Sequence, residues 1–294
     1  MGTQNSALLL DILDAFLEWW DKAHELELSD QITAWHDGHM ATYPELRRMQ
    51  VADYAGQGHD WRDIAAQRIF PFLPDWLPAM RQARSHLLVL IPQVCRRAEE
   101  TLGMEFVPLV VLYVGIGCGA GWATRYQERP ACLMGLEMIA QSNWHTPDHL
   151  EGLLAHELGH LLHMAWRDEW ETFAQAEKDP LFLLYSEGFA QRCEGHILGQ
   201  PSWHMVRDEA WLDWCQENLG WLAGEFLSRV QESRPVQGFF GSWFEIRGRR
   251  QTGYFLGHAW VQDMERDQDL HQVALLPMDE VRRRGLAWLQ RVAP

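Results

Sequence analysis

Residues 155–163 read Ala155-His156-Glu157-Leu158-Gly159-His160-Leu161-Leu162-His163, an apolar stretch that contains the pattern H-E-x-x-H. In an α-helix, residues four positions apart lie above one another on one face, so His156 and His160 can point both imidazole rings at one position. Catalytic zinc sites use such a pair with a third protein ligand and a water. The stretch therefore predicts a helix that carries two zinc ligands.

Glu157 directly follows the first of these histidines. Its carboxylate cannot face the metal squarely, but it can reach a water on the metal, which is where a general base acts. The alternative interpretation is a buried pair of neutral histidines that binds no metal.

The residues around the pattern indicate a helix buried in a core. Thr146-Pro147-Asp148 has the capping hydroxyl, the first-turn proline and the acid that are typical of a helix start. An apolar stripe follows at helical spacing, formed by Leu150, Leu153, Leu154, Leu158, Leu161 and Leu162.

A candidate third ligand is Glu187, in the segment Tyr185-Ser186-Glu187-Gly188-Phe189-Ala190-Gln191. It lies 27 residues after His160. That length allows the first helix to end, a loop to return, and a second helix to cross the first.

The two motifs together resemble those of the gluzincin metallopeptidases, over about residues 110–191. The aminopeptidase branch of that family has an N-E-G-F-A sequence with its glutamate on zinc, which matches Ser186-Glu187-Gly188-Phe189-Ala190. The resemblance implies a zincin-like fold and Zn²⁺ on His156, His160 and Glu187. It also implies that Glu157 is the general base of a peptidase.

The sequence departs from that family in two ways. The spacing between the two helices is longer, and Gln191 stands where an acid often orients a ligand histidine. Glu194 or a backbone carbonyl is left for that role. The metzincin pattern matches less well, because it requires a glycine at His163 and a histidine at Trp166. His163 is expected near the ligands or facing substrate, or else as a plain polar helix residue.

A later segment, Gly253-Tyr254-Phe255-Leu256-Gly257-His258, opens another predicted helix. It resembles the G-Y-x-x-G segment of one group of predicted zinc-dependent proteases with unknown substrates. Gluzincins take the donor for the reaction's oxyanion from a tyrosine or histidine after the zinc helices, which makes Tyr254 the first candidate and His258 the second. A core tyrosine bonded to backbone is the alternative.

The composition restricts partners and compartment. The formal net charge of -16 disfavours nucleic acid and anionic membranes as partners. Five scattered cysteines without a C-x-x-C pair fit a reducing, cytoplasmic location, and no secretory leader is evident.

Residues 106–123 are uncharged, but their proline, glycines and valines indicate a strand and a glycine loop, not a membrane span. The first six residues match the loose pattern for myristoylation of Gly2.

The predicted fold class is α+β and mostly helical. A zincin-like core, residues 104–294, is expected to have a small mixed sheet before the H-E-x-x-H helix, and residues 1–103 to form a helical region packed on it. The alternative is one continuous domain. A helix is expected from Ser6 to about Leu28, and residues 133–137 are the candidate edge strand that pairs with substrate.

The predicted function is hydrolysis of peptide bonds by a zinc-activated water. Two alternatives stay open: a zinc hydrolase of a small amide or ester, and a non-catalytic binding protein on a zincin scaffold. The intact Glu157 argues against the last of these. The sequence does not indicate cleavage specificity or oligomeric state.

Overall fold

The computed structural model describes residues 7–206, 208–241 and 243–294. Most of these residues are helical and a small mixed sheet accompanies them, which confirms the predicted α+β class. The chain divides into two compact units, Met1–Leu154 and Ala155–Pro294. The zincin likeness and the division at residue 103 stay predictions, and the pattern at Gly2 lies outside the described residues.

The first unit contains the sheet. Its strands are β1 (Leu8–Asp11), β2 (Leu109–Tyr113), β3 (Gly121–Tyr126) and β4 (Arg129–Gly135). Its helices are α1 (Leu13–Ala23), α2 (Leu28–Asp37), α3 (Pro44–Gly56), α4 (Trp61–Ile64), α5 (Leu73–Leu102) and α6 (Leu136–Gln141). The helix with the H-E-x-x-H pattern, α7 (Pro147–Arg167), begins in this unit and ends in the second.

The order of the strands corrects the prediction of a substrate-binding edge. The order is β1-β2-β4-β3, with β1 parallel to β2, β2 parallel to β4, and β3 antiparallel to β4. Residues 133–135 end β4, which is paired on both sides, and Leu136 begins α6. The backbone of β4 is therefore already hydrogen-bonded and cannot pair with an added peptide.

The predicted N-terminal helix is wrong at its start, because residues 8–11 form β1 and α1 begins only at Leu13. Leu8 N donates to Pro108 O at 2.9 Å, and Ile12 N donates to Leu112 O at 3.0 Å. Leu9 and Ile12 have helical spacing, but this pairing with β2, about a hundred residues later, decides the conformation. Such non-local pairing overrides local propensity.

The buried acid Glu137 accepts a hydrogen bond from the glycine-rich loop that follows β2 and contains Gly117. Glu137 is 0% exposed, and its Oε1 accepts from Gly117 N at 3.1 Å. Its Oε2 has no hydrogen-bond partner among the described residues. Burial raises the pKa of Glu137 to about 7, although hydrogen bonds from backbone N–H groups act to lower it.

Changing Glu137 to Gln is expected to remove a pH dependence of stability. The pKa is higher in the folded than in the unfolded chain, so the stabilisation from protonation is complete below pH 4.5 and is lost as the pH rises through about 7. A shift of this size corresponds to about 3 kcal/mol in the free energy of unfolding.

Urea unfolding of the wild type and of Glu137→Gln at pH 5 and pH 8 measures this loss. Glu128→Gln is the control, because the Glu128 side chain is 91% exposed. An equal change in stability between the two pH values for wild type and Glu137→Gln would contradict the assignment.

The second unit is helical apart from its loops. After the end of α7 its helices are α8 (Phe173–Ala176), α9 (Pro180–Leu198), α10 (Glu209–Glu217), α11 (Leu219–Gln231), α12 (Thr252–Met264), α13 (Leu270–Ala274) and α14 (Met278–Val292). Helix α9 packs against both α12 and α14. It begins where Asp179 Oδ1 accepts from Leu181 N at 2.9 Å and from Phe182 N at 3.1 Å, as an N-cap does.

Candidate metal centre

Helix α7 places the two motif histidines side by side. It begins at Pro147, as predicted, and the ring centroids of His156 and His160 are 4.9 Å apart. His156 and Glu157 are buried, at 3% and 7% exposure, whereas 12% of the His160 side chain is exposed. The buried helix and the shared face of the two histidines are confirmed.

A glycine between these histidines lets the next helix approach closely. A Cβ on Gly159 would lie 2.7 Å from Cys193 Cβ and 3.0 Å from Ala190 Cα. Real Cβ atoms do not come so close, so only glycine permits this crossing of α7 and α9. The crossing brings the face of α9 that carries Glu187 to the histidines.

Glu187 meets both histidines. Its Oε2 lies 3.2 Å from His156 Nε2 and 3.4 Å from His160 Nε2. Tetrahedral zinc with bonds of about 2.0–2.1 Å separates its ligand atoms by about 3.4 Å. The two distances to Glu187 are close to that spacing, all three ligand atoms lie within 4.8 Å of one another, and the structure brings together all three residues predicted to bind metal.

The charges in this group favour an ionised carboxylate. Burial acts to raise the pKa of Glu187, but the charge of His160 and hydrogen bonds from both histidines hold it far below its usual value. Burial likewise acts to lower the pKa of His156, yet its hydrogen bond to Glu187, the nearby Glu194 carboxylate and the negative charges of Glu187 and Glu157 raise it to about 10. The acids thus create a strong local preference for positive charge, as a cation site requires.

The acid behind His156 is Glu194, one of the two options predicted for that role. Glu194 Oε2 lies 3.7 Å from His156 Nδ1, on the side of the ring away from Glu187. Gln191 donates from Nε2 to Glu194 Oε2 at 2.9 Å. The acid near His156 therefore lies three residues after Gln191 on α9, and Gln191 helps to hold it.

A second close crossing positions Tyr254. A Cβ on Gly257 would lie 2.3 Å from Leu184 O and 2.9 Å from Gly188 Cα, so α9 and α12 touch through their backbones. The Tyr254 ring lies 5.7 Å from the ring of His156. Among the described residues no group hydrogen-bonds to its hydroxyl, which departs from the alternative of a core tyrosine bonded to backbone.

The surroundings of Tyr254 keep its hydroxyl protonated. Burial, followed by the charges of Glu187 and Glu157, raises the pKa of Tyr254 well above its ordinary value. The side chain is therefore a hydrogen-bond donor at neutral pH, as the predicted role requires.

His258 faces a different group of residues. Its Nε2 lies 3.1 Å from Arg192 Nη1, which can only donate, so this ring nitrogen accepts. Its ring packs on Trp203 with centroids 4.8 Å apart, and burial and the Arg192 charge lower the pKa of His258 to about 4. The geometry favours Tyr254 over His258 as a donor to substrate.

The expectation that His163 faces substrate is wrong. The side chain is 0% exposed and has rings of four neighbours within about 6 Å: Phe173, Phe182, Tyr185 and Phe189. Burial lowers the pKa of His163 well below its ordinary value, so it is a neutral core residue.

Two polar residues close to this group were not predicted from the sequence. His204 lies in the connector between α9 and α10 and binds Glu194. Glu177, just before α9, accepts from Ser186 Oγ at 2.7 Å, and Ser186 precedes the candidate ligand Glu187. Neither residue lies in a recognisable motif. The one signal in the sequence of the connector is that His204 directly follows Trp203.

Comparisons with known proteins do not identify a family for this chain. No family model matches the chain, and neither the curated proteins nor the solved structures contain a significant match. Within the described residues, no helix combines the length and the apolar character needed to cross a membrane.

Proposed function

We propose that this protein is a zinc-dependent peptidase of the gluzincin type. The observation that carries the proposal is that His156 Nε2 and His160 Nε2 lie 3.2 Å and 3.4 Å from Glu187 Oε2. Glu157 is on α7, the helix that carries both histidines. Structural ion pairs are seldom built from two histidines and one acid in the H-E-x-x-H arrangement. Catalytic metal sites commonly are.

The donor set fits zinc better than the harder cations. Two imidazole nitrogens and one carboxylate are ligands that zinc accepts, whereas magnesium and calcium prefer oxygen alone. Three protein ligands leave a position for water, as in catalytic sites and unlike closed structural ones. A zinc ion bound here would act as a Lewis acid and lower the pKa of a coordinated water.

The protein's own residues then have separate tasks. Glu157 accepts a proton from the water as its oxygen adds to the carbonyl carbon of the substrate, and it passes that proton to the amine as the carbon–nitrogen bond breaks. Tyr254 donates a hydrogen bond to the carbonyl oxygen, where negative charge develops. One water is consumed and one peptide bond is cleaved, with no change in oxidation state.

Two other functions use the same residues. A small amide or ester would need the same base and donor, so the geometry does not separate it from a peptide. A non-catalytic scaffold does not require Glu157. It also does not require the Tyr254 hydroxyl, which has no hydrogen-bond partner among the described residues. These two features favour an enzyme, with peptide or small amide as substrate. The odd number of scattered cysteines supports a cytoplasmic location.

A peptide-library digest tests this proposal. Zinc-loaded protein and the same protein stripped by a chelator are incubated with the library, and the products are identified by mass spectrometry. We expect new peptide ends only with the zinc-loaded protein. Turnover of small amides or esters without cleavage of any peptide would favour the second function, and zinc binding without turnover would favour the scaffold.

Replacing Tyr254 with Phe is expected to reduce kcat by about 10²–10³-fold, because a donor to the oxyanion acts mainly in the transition state. KM should change much less. His258→Gln is the comparison variant, and it should retain most of the activity because His258 contacts Arg192. The reverse order of the two effects would assign the donor to His258.

A further inference from the structure

A buried carboxylate behind the metal centre collects three hydrogen bonds. Glu194 Oε2 accepts from His204 Nδ1 at 2.8 Å and from Gln191 Nε2 at 2.9 Å, and Glu194 Oε1 accepts from His204 N at 3.0 Å. Glu194 is 0% exposed. A buried charge is tolerated only with such partners, and His204 supplies two of the three.

This carboxylate faces the back of a metal-binding histidine. Glu194 Oε2 is 3.7 Å from His156 Nδ1, a buried atom without a hydrogen-bond partner among the described residues. The opposite nitrogen, Nε2, faces Glu187. A shift of less than about 1 Å would complete a hydrogen bond from Nδ1–H to Glu194. That bond would leave Nε2 as the nitrogen available to a cation.

We propose that His204 is a positioning residue, which acts through Glu194 to hold His156 with Nε2 directed at the metal. The inference rests on the proposed function, because it assumes that His156 binds a cation. The rings of His204 and His156 contact each other edge to face, with centroids 4.9 Å apart, and the Nδ1 atom of each lies near the same oxygen, Glu194 Oε2, at 2.8 Å and 3.7 Å. The connector between α9 and α10 thereby becomes part of the support of the metal site.

A competing interpretation is a second cation held by His156, Glu194 and His204, whose ligand atoms lie within 4.8 Å of one another. The 2.8 Å distance between His204 Nδ1 and Glu194 Oε2 is that of a hydrogen bond and is shorter than the spacing of two ligands on one zinc ion. The Gln191 amide also directs an N–H at the same oxygen, where it would repel a cation. The geometry therefore favours hydrogen bonds.

Zinc affinity, measured by competition with a chromogenic chelator, tests the role of His204. We expect His204→Ala to bind zinc about tenfold more weakly than the wild type, at the lower end of the effect of removing an orienting partner. In His204→Asn the side-chain amide can replace Nδ1–H as donor, so most of the affinity should return. Circular dichroism of the metal-free proteins checks folding, and His271→Ala, at an exposed position, is the control.

A double-mutant cycle separates this role from general stabilisation. If His204 acts through Glu194, His204→Ala should have little further effect on zinc affinity in a Glu194→Gln background. Equal affinity of His204→Ala and wild type, or a full tenfold loss in both backgrounds, would overturn the inference. A stoichiometry of two zinc ions in the wild type and one in His204→Ala would overturn it in favour of the second cation. Failure of the wild type to bind zinc would instead overturn the proposed function.

Discussion

Glu157→Gln is expected to lose at least about a hundredfold in kcat while it keeps the zinc affinity of the wild type. The amide has nearly the shape of the carboxylate, but it cannot accept a proton from water. Glu157 is buried beside His156 and is not one of the three atoms that converge on the metal position. Loss of turnover should therefore occur without loss of metal.

The measurement is the rate of peptide cleavage at saturating zinc, together with a zinc titration of each protein. Glu171→Gln, at an exposed position in the loop after α7, is the matched control and should behave as the wild type. Full activity of Glu157→Gln would rule out its role as the base. Loss of zinc binding in that variant would mean that Glu157 is a ligand.

The second large effect is expected from Gly257→Ala, which should destabilise the protein by about 3 kcal/mol or more. The added methyl would lie 2.3 Å from Leu184 O, and a helix carbonyl cannot yield as a flexible side chain can. The two helices must separate, so Tyr254 on α12 would also move away from Glu187 on α9. Activity should fall more steeply than stability alone explains.

Gly195→Ala provides the matched control, because it adds the same methyl to the interior of α9. There the new Cβ would meet only Gln200 O at 3.6 Å, an ordinary contact, and alanine is the better helix former by about 1 kcal/mol. Urea unfolding should show that Gly195→Ala is as stable as the wild type or more stable. If the two glycine variants were equally stable, the close crossing of α9 and α12 would be refuted.

Part of the candidate site could be predicted from the sequence, and part could not. The spacing of His156 and His160 on one helix is a local property, and so it could be recognised without a structure. Glu187 could be proposed because its segment resembles a known motif. The reason for glycine at positions 188 and 257 is a contact between two helices distant in sequence, which a local pattern does not show.

Residues that depend on non-local contacts escaped prediction. His204 has no motif around it and acquires its role only because the connector returns to Glu194. Strand β1 was predicted as helix because Leu9 and Ile12 have helical spacing, whereas pairing with β2 decides the outcome. The prediction that residues 133–137 form an edge strand is wrong for the same reason. The pairing of β2 and β3 with β4 is non-local, and it places β4 inside the sheet.

Metal content tests the central claim most directly. Protein expressed with added zinc is dialysed against metal-free buffer, and bound metal is measured by inductively coupled plasma mass spectrometry. We expect about one zinc ion per chain in the wild type. Glu187→Ala, which removes the proposed ligand on α9, should bind far less than one. Wild-type protein that retains no zinc, or a Glu187→Ala variant that retains as much as the wild type, would contradict the account.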